Sequence, residues 1–107
     1  MMKHGDVFWV DLSPTQGSEI KKTRPCVLIG ATPINQARRT VLGVPLSSSG
    51  KPVPPLTVPV VCMGKNVVAV CDQLRAIDKS RLLNRVESMN QKDLEKIKTA
   101  LRQILCL

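Results

Sequence analysis

Three groups of polar side chains lie close enough along the chain to act together. Glu19, Lys21, Lys22, Thr23 and Arg24 end one stretch, Ser47, Ser48, Ser49 and Lys51 open a second, and Asp72, Gln73 and Arg75 follow an apolar run. Guanidinium and ammonium groups supply charge, hydroxyls supply hydrogen bonds, and a carboxylate accepts a proton or holds a cation in place. Together these groups suit an anionic ligand. Loops beside strands are where binding sites are commonly built, although residue pattern alone does not separate a binding loop from a merely solvated one.

Several other chemistries are excluded. His4 is the only histidine, so no paired-histidine proton relay exists within one chain, and its place near the terminus reads as surface. The eight acids are scattered and form no two-metal carboxylate cluster. Neither a metal nor a cofactor is expected. No GxxxxGK[ST] phosphate loop and no GxSxG elbow is present. No CxxC pair exists among Cys26, Cys62, Cys71 and Cys106. Three of the four cysteines lie in apolar, strand-like runs, and the set reads as reduced core residues.

The elements that must position these groups are short. Strands are expected at Val7–Leu12, Cys26–Ile29, Val41–Leu46, Thr57–Met63, Asn66–Cys71 and Gln73–Ile77, from their β-branched and apolar runs. Residues 13–23 and 47–55 read as loops. Gly43 weakens the third strand and Pro45 closes it. Gly64-Lys65 makes a hairpin turn, and Pro59 marks the preceding strand as an edge or a bulge. Residues 33–39 allow one or two helical turns, and Asp78 can cap a brief one through Arg81. Asn90–Leu107 is a helix, capped by Asn90, with Leu94, Ile97, Leu101, Ile104 and Leu105 on one face. The pattern is mostly β with α, in one domain over residues 1–107: five to seven strands in a strongly bent sheet or barrel with a C-terminal helix.

Charge narrows the partners. Sixteen basic residues against eight acidic give a net charge of +8, so the chain attracts polyanions. RNA, DNA, a membrane surface and an acidic protein all fit that charge. Phe8 and Trp9 are the only aromatic residues, too few for an array of base-stacking rings, so phosphate contacts and hydrogen bonds must carry most of any RNA affinity. There is no run of 18 apolar residues, and Asp6 and Asp11 interrupt the first apolar stretch, so neither a membrane span nor a signal peptide is expected and the expected location is cytoplasmic.

Read in order, the motifs resemble one family. Gly5-Asp6-Val7 and Trp9-Val10-Asp11-Leu12, then Pro14 to Glu19 as PTQGSE, then Thr23-Arg24-Pro25 resemble the opening of the MazF/PemK toxins. Pro45-Leu46-Ser47-Ser48 is similar to that family's turn after its third strand. Val67 to Asp78, VVAVCDQLRAID, is similar to its DQ-containing block. The resemblance spans nearly the whole chain. It implies a compact SH3-like barrel, a homodimer, and the toxin half of a type II toxin–antitoxin pair, neutralised by an acidic antitoxin. It also implies metal-independent cleavage of single-stranded messenger RNA by the RNA's own 2′-hydroxyl, leaving a 2′,3′-cyclic phosphate and a 5′-hydroxyl.

Carried across by position, the resemblance puts the active arginine at Arg24 and the active hydroxyl at Ser47. It matches Glu19 to the family's acid and Asp72 and Gln73 to its DQ pair. Lys21, Lys22, Thr23, Ser48, Lys51 and Arg75 complete the expected RNA-binding set. PemK-type members can carry histidine at the position of Ser18 and arginine at that of Val70, so a histidine-assisted scheme does not carry over and the general base stays open. Arg24 fits electrostatic stabilisation of a pentacovalent phosphorus. Ser47 can hydrogen-bond a phosphate oxygen or orient the 2′-hydroxyl. Glu19 either takes that hydroxyl's proton or holds Arg24. Two rivals remain: a gyrase poison of the CcdB type, which relies on a C-terminal Trp-Gly-Ile where this sequence reads Ile104-Leu105-Cys106-Leu107, and a passive SH3-like RNA-binding module.

Overall fold

The computed structural model describes residues 2–13 and 22–107. Its strands are β1 (Asp6–Asp11), β2 (Thr23–Leu28), β3 (Thr40–Ser47), β4 (Thr57–Cys62), β5 (Lys65–Val70), β6 (Arg75–Asp78) and β7 (Leu82–Ser88). Helix α1 spans Thr32–Ala37 and α2 spans Gln91–Leu105. All ladders are antiparallel. Among the described residues the strand order is β4-β5-β3-β2-β1-β7, with β6 added to β3. The sheet wraps to near-equal extents of 33 × 32 × 29 Å but does not close, since β4 and β7 at its ends share no ladder. Among the described residues no helix is long and apolar enough to cross a membrane.

Side-chain alternation along each strand divides the core in two. Val27, Val44, Leu46, Val58 and Val60 face α2, whose Leu94, Ile97, Ala100 and Leu101 recur at helical spacing and fill the space between. Ile97 is fully buried, so its truncation to alanine costs about 2–5 kcal/mol. Val10, Cys26, Leu28, Val41 and Ile77 pack on the opposite face, with Phe8 and Leu82 against them. Gly43 lies where three strands meet, paired to Leu28 and to Arg75. A Cβ at Gly43 would come within 2.7 Å of Ile77 Cδ1, so its bare backbone is what lets Ile77 cross the strand.

Several sequence expectations change. Pro45 reads as closing the third strand, yet β3 runs through it to Ser47, and β2 begins at Thr23 rather than Cys26, so Thr23 and Arg24 sit on a paired strand rather than at the end of a loop. The hairpin turn is Met63-Gly64, one residue earlier than expected, with positive φ at both positions (52° and 73°) as a two-residue turn of this twist requires. Cys71–Gln73 is a 3-10 turn, and the strand expected from Gln73 starts at Arg75. β7 has no apolar alternation in its sequence LLNRVES and exists through its ladder with β1. His4 is tethered rather than loose: its N–H donates to Thr32 Oγ1 at 2.9 Å, and its Nδ1 lies 2.9 Å from the Ile29 carbonyl oxygen. Cys26, Cys62 and Cys71 are free and buried as expected, whereas Cys106 is exposed.

An open sheet must protect its edges. On β4 the outward N–H of Thr57 donates to the Val53 carbonyl and that of Val61 to Asp93 Oδ2 at 2.8 Å. Pro59 has no N–H, and the N–H of Met63 donates to Glu87 Oε2 at 3.0 Å. Asp93 also anchors α2, because its own N–H donates to Asn90 Oδ1 and the Asn90 amide returns a bond to Asp93 Oδ2. Burial pushes the Asp93 carboxyl up, but the Val61 N–H, the Asn90 amide and Lys96 together hold it below its ordinary value of 3.8.

Asp93→Ala leaves the Val61 N–H without a partner and removes half of the helix cap, so stability should fall by about 1–3 kcal/mol. Because the folded carboxyl titrates below the unfolded one, its contribution is present above pH 3.8 and is lost as pH falls through the lower folded value. Urea midpoints of the wild type and variant should therefore converge below that pH; a gap that holds unchanged down to about pH 2 contradicts the assignment.

Candidate functional site

The β2–β3 ladder pairs Leu28 with Gly43, Val27 with Val44 and Cys26 with Pro45, and there it ends. Beyond that rung β3 runs with β5, pairing Leu46 with Ala69 and Ser47 with Val68. The first half of β2 stays with β1, pairing Arg24 with Val10 and Pro25 with Trp9. The two banks separate and leave an open cleft of about 450 Å³, within the size range of small-ligand sites, about 300–1,000 Å³. Trp9, Lys22, Thr23, Arg24 and Pro25 line one bank. Leu46, Ser48, Ser49, Cys62, Met63, Lys65 and Val67 line the other.

The β1–β2 bank is clamped from behind. Arg81 Nη1 donates to the carbonyl oxygens of Asp11 at 3.1 Å and Ser13 at 2.7 Å. The Leu12 N–H donates to the Lys22 carbonyl, and the Lys22 N–H to Ser13 Oγ at 2.7 Å. Lys22 and Thr23 are therefore held by backbone bonds at the cleft although both are exposed.

Arg24 is half-buried on β2. Carried one rung pair past its end, the β2–β3 register sets Arg24 across from Ser47. Ser47 is half-buried at the end of β3, and its Oγ accepts the Ser49 N–H at 3.3 Å and lies 3.3 Å from Ser49 Oγ. Ser47 does not itself line the cleft; Ser48 and Ser49 do. Arg75, across Gly43 on β6, joins Arg24 near Cys26. Burial pushes the Cys26 thiol up to about 12, against the opposing pull of the Arg75 and Arg24 charges. Two guanidiniums thus converge on one stretch of the sheet. Among the described residues no ion pair involves Lys22, Arg24, Lys65 or Arg75, because the four that form use Arg39, Arg85, Lys96 and Lys98.

Not all expected residues gather here. Lys22, Thr23, Arg24 and Ser48 line the cleft, Ser47 adjoins it through Ser49, and Arg75 lies outside its lining. Lys51 is exposed and outside the lining, with its carbonyl accepting from Thr57 Oγ1 at 2.8 Å. Asp72 and Gln73 sit exposed on the 3-10 turn after β5, also outside it. Glu19 and Lys21, with the rest of the PTQGSE motif, lie outside the described residues. Sequence reasoning missed Trp9, Met63, Lys65 and the clamp Arg81. Pairing of Trp9 with Pro25 depends on register, which no local pattern revealed. Among the described residues no group of three His, Cys, Asp or Glu side chains is arranged to hold a metal ion.

Comparison with known proteins adds to this geometry. The model of the PemK-like, MazF-like toxins of type II toxin–antitoxin systems matches residues 3–105. The chain is 31% identical over 106 residues to an endoribonuclease MazF of Staphylococcus saprophyticus, covering 94% of this chain and 88% of that protein. It is 29% identical over 111 residues to endoribonuclease MazF9 of Mycobacterium tuberculosis, covering 95% and 94%. Its fold is similar to that of a MazE–MazF crystal structure from Deinococcus radiodurans, with a TM-score of 0.85, 21% identity and coverage of 98% and 96%. It is also similar to a mycobacterial endoribonuclease solved in complex with its cognate antitoxin, with a TM-score of 0.80, 21% identity and coverage of 98% and 95%.

The buried thiols around the cleft should be inert. Burial raises Cys62 to about 11, with Glu87 beside it, and Cys71 to about 11, with Asp72 beside it. At about pH 8 the native protein should expose one thiol to a disulfide reagent, Cys106, and the unfolded protein four. Rapid modification of Cys26 in the native state would contradict its placement beneath the arginines.

Proposed function

The chain belongs to the family of PemK-like, MazF-like toxins of type II toxin–antitoxin systems, and from that premise we propose that it cleaves single-stranded messenger RNA at the cleft, with Arg24 and Ser47 at the reacting phosphate. It is an endoribonuclease, as its relatives are. The observation that carries the site assignment is Arg24 itself: a half-buried arginine on a strand paired with β1, lining the cleft whose other bank carries Ser48 and Ser49.

The reaction asks little of the protein beyond placement and charge. The 2′-oxygen of the RNA bonds to the adjacent phosphorus, the bond from phosphorus to the 5′-oxygen breaks, and a cyclic phosphate and a 5′-hydroxyl result. The 2′-oxygen loses a proton and the 5′-oxygen gains one. The equatorial oxygens gain charge on the way, and the planar guanidinium of Arg24 binds two of them at once. Arg75 adds to the positive field. Ser47 donates its hydroxyl to a phosphate oxygen or orients the 2′-hydroxyl. Glu19 takes the 2′-proton or steadies Arg24. Lys22, Thr23 and Ser48 hold the strand on either bank. Lys21, Lys51, Asp72 and Gln73 complete the proposed RNA path beyond the cleft.

The proposal extends to partners. Relatives have been solved with an antitoxin. For this chain we propose an antitoxin with an acidic tail that folds onto the basic groove RNA would use. We also propose a homodimer, a single toxin domain over residues 1–107 and a cytoplasmic location.

Arg24→Ala should leave the fold intact and slow RNA cleavage by about 10²- to 10³-fold; a folded variant within tenfold of wild type defeats the assignment. Ser47→Ala should impair cleavage and Ser47→Thr preserve it. If Ser47→Ala is silent and Ser48→Ala is not, the role belongs to Ser48. Cleavage should survive excess EDTA and yield 5′ fragments ending in a cyclic phosphate, and a 3′-hydroxyl product would contradict 2′-hydroxyl attack.

A further inference from the structure

The cations at the cleft bind phosphates, which are the same in every sequence; base choice needs contacts to a base. Single-stranded RNA is commonly read by splaying a base out and stacking it on an aromatic ring. Of the two aromatic residues, Phe8 packs into the core beside Val10 and Cys26. Trp9 is half-buried and lines the cleft, one rung from Arg24.

A second observation lies on the facing bank. Met63 holds φ 52° in the hairpin turn, a conformation that favours glycine, asparagine or aspartate and is costly for a long side chain. Its side chain is 43% exposed and lines the cleft. Neither the turn nor the core requires methionine there. A strained, exposed apolar residue that shares an open cleft with a tryptophan on the other bank points to a ligand that is flat and apolar on its faces. Lys22 and Lys65 flank the same gap and match the phosphates on either side of such a ligand.

We propose that the cleft between Trp9 and Met63 is a nucleobase subsite: the base next to the scissile phosphate leaves its stack and inserts between the indole and the thioether, while Lys65 holds its outer phosphate. This rests on the endoribonuclease reading and names the part of that site that selects sequence.

The chain has one tryptophan, so its emission reports on the subsite without labelling. The probe is a 2′-O-methyl analogue of an RNA that the wild-type protein cleaves, which binds without reacting. Saturating probe should quench Trp9, and replacing one nucleotide by an abasic unit should abolish the quench at a single position. Trp9→Phe should bind within about threefold of wild type, and Trp9→Leu should lose about tenfold or more, the size of one lost base stack. Met63→Asn suits the turn better, so thermal stability should hold or rise while KM increases several-fold and kcat changes little. A structural role for Met63 would not produce that split. Wild-type protein that cleaves RNA with full dependence on Arg24, yet shows unmoved Trp9 emission and a Met63→Asn variant with unchanged KM, overturns the subsite alone. Wild-type protein that cleaves no RNA overturns the reading beneath it.

Discussion

A strand has two hydrogen-bonding edges, and β3 divides them among three neighbours. One edge serves β2 at Gly43–Pro45; the other serves β6 over Thr40–Gly43 and then β5 at Leu46 and Ser47. Pro45, with no N–H to offer, stands on the last rung shared with β2. Past that rung β3 departs with β5, and β2 remains with β1 alone. The cleft is the space this parting opens. It follows that the hydroxyls of Ser48 and Ser49 and the guanidinium of Arg24 face each other across a gap rather than along a ladder, with room for a ligand between them. A sheet in which β2 and β3 stayed paired to their ends would carry the same residues and have no cleft.

The electrostatics follow from the same arrangement. Acids elsewhere are matched to bases: Asp6 with Arg85, Asp78 with Arg39, Asp93 with Lys96 and Glu95 with Lys98. Asp6 shows how thoroughly, since it is almost fully buried and also accepts bonds from the Lys3 N–H and the Ser88 hydroxyl. Among the described residues the cleft cations Lys22, Arg24 and Lys65 share in none of these pairs. A buried thiol beneath two guanidiniums stays neutral because desolvation outweighs their attraction. The thiol therefore adds no negative charge beside Arg24.

The terminal helix was legible because it announces itself within one segment: Asn90 caps it and apolar residues return at every turn. The strand runs with β-branched residues were legible for the same reason. What local pattern could not supply is register. The sequence ends the first loop at Thr23 and starts the strand at Cys26; pairing of Thr23, Arg24 and Pro25 with Asp11, Val10 and Trp9 starts it three residues earlier and places Arg24 on the ladder. LLNRVES has no strand periodicity, and β7 exists because β1 offers an edge. Trp9 and Met63 are 54 positions apart and come to one cleft only through three intervening strands. Lys51, Asp72 and Gln73, the last two grouped with the site by resemblance to the family's DQ pair, sit exposed outside the cleft lining.

The expected barrel and the observed open sheet differ by less than the strand order suggests. The two end strands share no ladder, but Glu87 on β7 accepts the Met63 N–H at the end of β4, so a side chain joins what the backbone does not. Asp93 on α2 takes the Val61 N–H two residues earlier, and the helix fills the remaining seam. Closure by carboxylates rather than by paired strands has a consequence for the site. The hairpin tip at Met63-Gly64 is closed by the β4–β5 ladder, which runs to the Cys62–Lys65 rung, and the Glu87 carboxylate alone ties it across to β7; that tip forms one lip of the cleft. The lip is thus joined to the far end of the sheet by one side chain, while Arg24 on the other bank sits on a strand paired with β1, whose end Arg81 clamps through the Asp11 and Ser13 carbonyls.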